Sequence, residues 1–173
     1  MASLSGSLFW RPMSAEDLPA VSRLAGLIHA DYPEDDAVFA ERLHLCPAGC
    51  FLLEGADGAA CGYLFSHPWR TDGRCKEVVP ALNTLIGALP ECPDFWYLHD
   101  IALISGARGT GMARAGIMLV QAAAVHARVG RIVLTSTAAA VEFWRAQGFE
   151  RCRSGQGNLG SYGAGAVLFE RAV

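Results

Sequence analysis

Seven residues, Arg108-Gly109-Thr110-Gly111-Met112-Ala113-Arg114, have the types and spacing that speak most directly of chemistry. They lie between an apolar run, WYLHDIAL at 96–103, and a long helical pattern. Glycine lets a backbone approach a ligand with no Cβ in the way. The first amides of a helix have no partner within it, and the helix dipole gives that end partial positive charge. Arg108 and Arg114 add full charge. The stretch therefore reads as an anion site suited to a pyrophosphate. It is not a triphosphate loop, because G-x-x-x-x-G-K-[ST] is absent. A literal G-x-G-x-x-G runs from Gly155 to Gly160, but no helix follows it, and dinucleotide binding needs that helix N-terminus. These glycines are expected to form a hairpin loop.

The elements that must hold the loop in place follow from periodicity and punctuation. LFWR at 8–11 predicts a strand. Ser14 with Asp17 resembles a capping box, and Leu18, Val21, Leu24, Ala25 and Ile28 continue at helical spacing. Tyr32-Pro33 breaks that helix, and Val38, Phe39 and Leu43 mark a second one. Residues 50–54 and 60–66 predict a hairpin across the turn from Gly55 to Gly58. His67-Pro68-Trp69 reads as a turn packed by an aromatic. The proline-rich segment 67–94 is irregular, with a short helix expected around Leu82–Leu89; its length suggests a substrate-binding element. A strand at 96–103, a helix from about 109 to 127 and a strand at 131–135 make a β-α-β unit, so those strands should be parallel neighbours. A helix at about 138–147 stops at Gly148, and two last strands are expected near 149–153 and 166–171. The class is α/β or α+β, with a mixed sheet.

With 173 residues, 52% hydrophobic and 18% charged, the whole of 1–173 is expected to form one domain with an ample core. The net charge of −3 argues against nucleic acid as a partner. No apolar run reaches the ~20 residues of a membrane span. MASLSGSLFWR has no Lys or Arg ahead of its short apolar stretch, so it makes a poor secretory signal, and a cytoplasmic location is expected. The six cysteines include no C-x2-C pair, and Cys46 and Cys50 lack a matching second pair. Reduced thiols and no metal site are expected.

The chain resembles the GNAT superfamily of acyl-CoA-dependent N-acetyltransferases. Its [QR]-x-x-G-x-[GA] pattern is met by Arg108, Gly111 and Ala113 at the strand-to-helix turn. Leu98-His99-Asp100-Ile101-Ala102-Leu103 is similar to the family's fourth strand. Ala140, Phe143, Trp144, Gly148 and Phe149 match its A-x-x-[FL]-Y-x-x-x-G-F helix except that Trp144 stands for the Tyr. The resemblance implies a twisted, mixed, mostly antiparallel sheet flanked by helices and splayed between strands 4 and 5, with acetyl-CoA as co-substrate in the gap. Ile101, Ala102 and Leu103 would lie along the pantetheine. Arg108, Gly109, Thr110, Gly111, Met112, Ala113 and Arg114 would hold the pyrophosphate. Thr137 and Phe143 would flank the pantetheine end. The acceptor would be an amine on a small molecule or a protein, and homodimers are common by analogy.

Acetyl transfer to an alkylammonium of pKa ~10.4 needs a base near neutrality. His99, at the end of its strand, has the right intrinsic pKa. Asp100 should point to the opposite face and act as an anchor. A backbone N–H near Leu103 would receive the developing oxyanion. Trp144 cannot be a general acid, so Tyr162 or water would serve, or the thiolate would leave unaided at its pKa of ~8.5. In this family Tyr32, Glu34, Asp35 and Asp36 would border the acceptor, as an acidic rim or as a merely solvated loop. Two rivals follow: an acyl-CoA-binding module without catalysis, which Trp144 favours, and an enzyme for another phosphorylated ligand.

Overall fold

The computed structural model describes residues 7–72, 79–153 and 159–173. Strand β1 (Leu8–Pro12) leads through a capped 3-10 turn to helix α1 (Leu18–Ile28). The box is as expected: Asp17 Oδ2 accepts the Ser14 N–H at 2.8 Å. Arg11 clamps the same carboxylate at 2.8 Å and reaches Glu54 at 2.6 Å. Helix α2 (Asp36–Leu45) follows, then the hairpin of β2 (Cys50–Gly55) and β3 (Ala60–Trp69). Strand β4 (Phe95–Leu103), helix α3 (Met112–His126) and strand β5 (Arg131–Ser136) form the β-α-β unit. Helix α4 (Val141–Ala146), β6 (Glu150–Arg151) and β7 (Val167–Ala172) complete the chain.

The seven strands form one sheet in the order β1-β2-β3-β4-β5-β7-β6, antiparallel except for the β4–β5 pair. Each face is covered by helices. Ile117, Val120 and Ala124 of α3 pack with Leu98, Ile132, Leu134, Trp144 and Phe149 on one side. Val21, Leu24 and Ala25 of α1 and Phe39 and Leu43 of α2 pack with Leu52, Tyr63 and Phe65 on the other. Burial of each such side chain contributes roughly 1.5–3 kcal/mol before the entropy of ordering it is counted. No helix among the described residues is long and apolar enough to cross a membrane.

Two expectations are corrected. His67-Pro68-Trp69 is the end of β3, paired with Tyr97, Trp96 and Phe95. The proline is tolerated because β2 stops pairing at Phe65, leaving Pro68 with a free outer edge. Residues 82–89 form no helix. Asn83 and Gly87 take positive φ there, +55° and +73°. The Glu41 carboxylate accepts the N–H groups of Ile86 and Gly87 at 2.8 Å, and Arg42 donates to the Thr84 carbonyl at 2.9 Å. Side chains of α2 thus satisfy a backbone that a helix would have satisfied itself. The glycine run at 155–158 lies outside the described residues, as does Cys75.

Candidate active site

Strands β4 and β5 part after three rungs. Their parallel ladder joins Trp96 to Ile132, Tyr97 to Val133 and Leu98 to Leu134, and stops. Beyond it β4 continues to Leu103 against β3 alone, while β5 continues to Ser136 against β7. The divergence opens a cavity of about 580 Å³, inside the usual range for small-molecule sites. Its walls come from both sides of the sheet: Ile28 and His29 at the end of α1, and Ala140, Phe143, Trp144 and Gln147 at α4.

At one mouth stands the glycine turn. Gly109 and Gly111 have φ of +74° and +87°, and a Cβ at either would meet nothing within 4 Å. Both point into open space at the N-terminus of α3. The first N–H there to reach a helical acceptor is that of Ala115, bonded to the Gly111 carbonyl at 3.0 Å. The earlier amides of the turn have no helical acceptor. Arg108 lines the cavity while its Nε donates to the Leu103 carbonyl at 3.1 Å. Thr110 turns inward, donating to the Ala107 carbonyl at 2.6 Å. Open space over paired glycines, bare amides, two arginines and an unpaired length of β4 fit a pyrophosphate with a linear, amide-bearing tail.

At the other end is His99. In the β3–β4 register Phe65 pairs with Asp100 and Ser66 with Leu98, so His99 is an extra residue, a β-bulge. The bulge resets the alternation. Asp100 therefore shares the α1–α2 face with His99, against expectation. It accepts from Tyr63 Oη at 2.7 Å and faces His29 Nε2 at 3.2 Å. Burial would raise the Asp100 carboxyl, but the His29 hydrogen bond and charge pull it below the ordinary range. The same bond holds the His29 imidazole above its usual value. His99 Nε2 lies 2.9 Å from Glu34 Oε1. Thus Glu34 of the acidic loop is a buried partner of His99, while Asp35 and Asp36 are exposed.

Of the residues named from sequence, His99, Ile101, Ala102, Leu103, Arg108, Gly109, Gly111, Ala113, Arg114, Thr137 and Phe143 line this one cavity. Thr110, Met112 and Tyr162 are not among its lining residues. Tyr162 is buried at the end of a hydroxyl chain. It donates to the Pro80 carbonyl at 2.9 Å, stands 3.2 Å from Tyr97 Oη, and Tyr97 stands 3.0 Å from Thr135 Oγ1. Burial pushes the Tyr97 hydroxyl up to about 12 and Tyr162 well above the ordinary range. Trp144 is buried edge-on against Phe143 and Phe149. Sequence reasoning missed His29 and Thr135 as cavity residues; neither lies in a motif. Among the described residues, no three His, Cys, Asp or Glu side chains group to hold a metal.

A family model described as "Acetyltransferase (GNAT) family" matches residues 13–149. The sequence matches no curated protein. The fold is similar to that of Ard1 from Thermoplasma volcanium (TM-score 0.71, 14% identity, covering 96% of this chain and 97% of that one). It is also similar to the loading GNATL domain of CurA from Lyngbya majuscula (0.72, 15%, 96% and 98%). A third similar fold is Arabidopsis thaliana Naa50, solved with a bisubstrate analogue, CoA-Ac-MVNAL (0.66, 12%, 96% and 99%).

Proposed function

The chain belongs to the GNAT acetyltransferase family, whose co-substrate is acetyl-CoA, and on that premise we propose that it transfers acetyl from acetyl-CoA to a primary amine. The acceptor is a small molecule or a protein amine, and transfer is direct, with both substrates bound. One observation carries the reading: a single cavity runs from the glycine turn, through the parted strands, to a buried histidine.

Acetyl-CoA supplies an acyl group already activated as a thioester. The amides from Gly109 to Ala113, with the side chains of Arg108 and Arg114, hold its pyrophosphate; the Arg108 N–H is already given to the Ser105 carbonyl at 3.2 Å. Ile101, Ala102 and Leu103 offer the free β4 edge to the pantetheine, and Thr137 and Phe143 flank its end. His99 accepts the proton that the acceptor ammonium must lose before it can attack. A β4 backbone N–H receives the oxyanion. Tyr162 anchors the hydroxyl chain that ends at Thr135; its proton is already given to Pro80, so the thiolate leaves without it.

The test is thermal unfolding with and without acetyl-CoA, then an amine panel read by thiol release. A ligand at 100 times its Kd adds about 2.7 kcal/mol of stability. Stabilisation with turnover supports the proposal. Trp144 favours a second reading, acyl-CoA binding without transfer, since an indole has no acidic proton to give. Stabilisation without turnover on any amine, restored by Trp144→Tyr, would establish that reading instead.

A further inference from the structure

We propose that Glu34 is a positioning residue: it fixes the tautomer of His99 and ties that tautomer to the docking of the loop at Asn83. This role for Glu34 rests on the reading of His99 as the base. The two side chains are 65 positions apart and meet in a place nearly closed to water, with Glu34 4% exposed and His99 fully buried. A carboxylate only accepts hydrogen bonds, so the His99 nitrogen that faces it, Nε2, carries the proton. The basic lone pair is then on Nδ1. That atom is buried and has no partner among the described residues.

The second oxygen of Glu34 has its own task. It accepts the N–H of Asn83 at 3.0 Å. Asn83 returns the bond, its Oδ1 accepting the Asp35 N–H at 2.7 Å. One carboxylate therefore spans the base and the segment 79–89, which α2 holds at its far end through Glu41 and Arg42. When the loop is docked, both oxygens are engaged and the imidazole is oriented. When it lifts, Glu34 loses a donor and is free to turn from His99. Orientation of the base is thus tied to the loop docked beside it.

The other titratable groups facing this pair do not replace Glu34. From β3 comes His67, whose Nδ1 bonds the Pro68 carbonyl. From β4 come Tyr97, engaged with Thr135, and Asp100, engaged with Tyr63 and His29. From α2 comes Arg42, bonded to Glu41 and Thr84. Tyr162 bonds Pro80. Each already has a partner elsewhere.

The test is 15N NMR of the full chain with labelled histidine, the His99 signals assigned by their loss in His99→Gln. In the unaltered protein we expect neutral His99 protonated on Nε2. In Glu34→Gln the amide keeps the Asn83 bond with its oxygen and turns its NH₂ to His99, so the proton should move to Nδ1. Glu34→Asp should restore the original tautomer. In turnover, Glu34→Gln should lose about 100-fold in kcat with KM for acetyl-CoA unchanged. A native His99 protonated on Nδ1, or a tautomer indifferent to Glu34→Gln, overturns the proposal. The NMR readout needs no turnover, so failure of the transferase reading alone would show as a tautomer that still follows Glu34 in a chain inactive on every amine.

Discussion

Leu98 and Leu134 form the last rung between β4 and β5, and past them the two strands never meet again. Everything assigned to ligand binding lies downstream of that rung. β4 then offers main-chain groups to the gap as far as Leu103, where the glycine turn begins. The Arg108 guanidinium folds back onto the Leu103 carbonyl, so the end of the strand and the start of the anion site are one rigid piece.

The turn can be tested at its second glycine. Gly111→Glu places bulk and negative charge where open space faces the α3 N-terminus, at a φ of +87° that costs any other residue about 1 kcal/mol. Loss of the acetyl-CoA-induced shift in unfolding temperature is expected, with Gly111→Ala retaining part of it. Undiminished affinity in Gly111→Glu would refute the pyrophosphate assignment.

His99 can be tested through the pH profile. A base works deprotonated, so the rate should climb with pH through its titration. His99→Ala should lower kcat at pH 7 by about 100-fold and flatten the acid limb, while acetyl-CoA still stabilises the fold. An unaltered profile would hand the role to His29, the other cavity histidine.

His67 predicts an acid sensitivity unrelated to catalysis. It is almost wholly buried, its Nε2 has no partner among the described residues, and burial pushes its pKa down to about 3. The unfolded chain binds a proton near pH 6.5 that the folded chain refuses until about 3. Stability from this group is therefore complete above 6.5 and declines as pH falls through that window. His67→Asn should remove up to about 1.4 kcal/mol per pH unit of that slope in denaturant titrations between pH 6 and 4. Equal slopes in the two proteins would contradict the burial argument.

Gly62 predicts how tightly β3 must approach β4. A Cβ there would stand 2.5 Å from the Ala102 carbonyl oxygen, a backbone atom that cannot turn aside. Gly62→Ala should cost about 1–3 kcal/mol in equilibrium unfolding and weaken acetyl-CoA binding, because Ala102 is part of the cavity wall. A neutral effect would mean that β4 can shift without harm to the site.

What the sequence makes legible here is local. Periodicity places α1, α3 and the apolar strands, and the Arg108–Arg114 run marks the anion turn, because each signal lies within one helix or one turn. The pairing of Glu34 with His99 joins residues 65 apart and leaves no local trace. Alternation misplaces Asp100, because a bulge is one extra residue that only the partner strand reveals. A helix at 82–89 is locally reasonable, yet Glu41 and Arg42 supply its backbone with better-placed partners from another element.

The hydroxyl chain of Thr135, Tyr97 and Tyr162 carries a direction. It starts at the Pro80 carbonyl, which can only accept. Tyr162 gives its proton there, so Tyr97 must give its own to Tyr162, and Thr135 must give its own to Tyr97. Every hydrogen in the row points away from the cavity. Thr135, one of the residues on the cavity wall, therefore has no hydroxyl proton left to give. Its hydroxyl can accept from an N–H and cannot donate to a carbonyl oxygen, so the chain of three hydroxyls gives this part of the site a polarity that begins at Pro80.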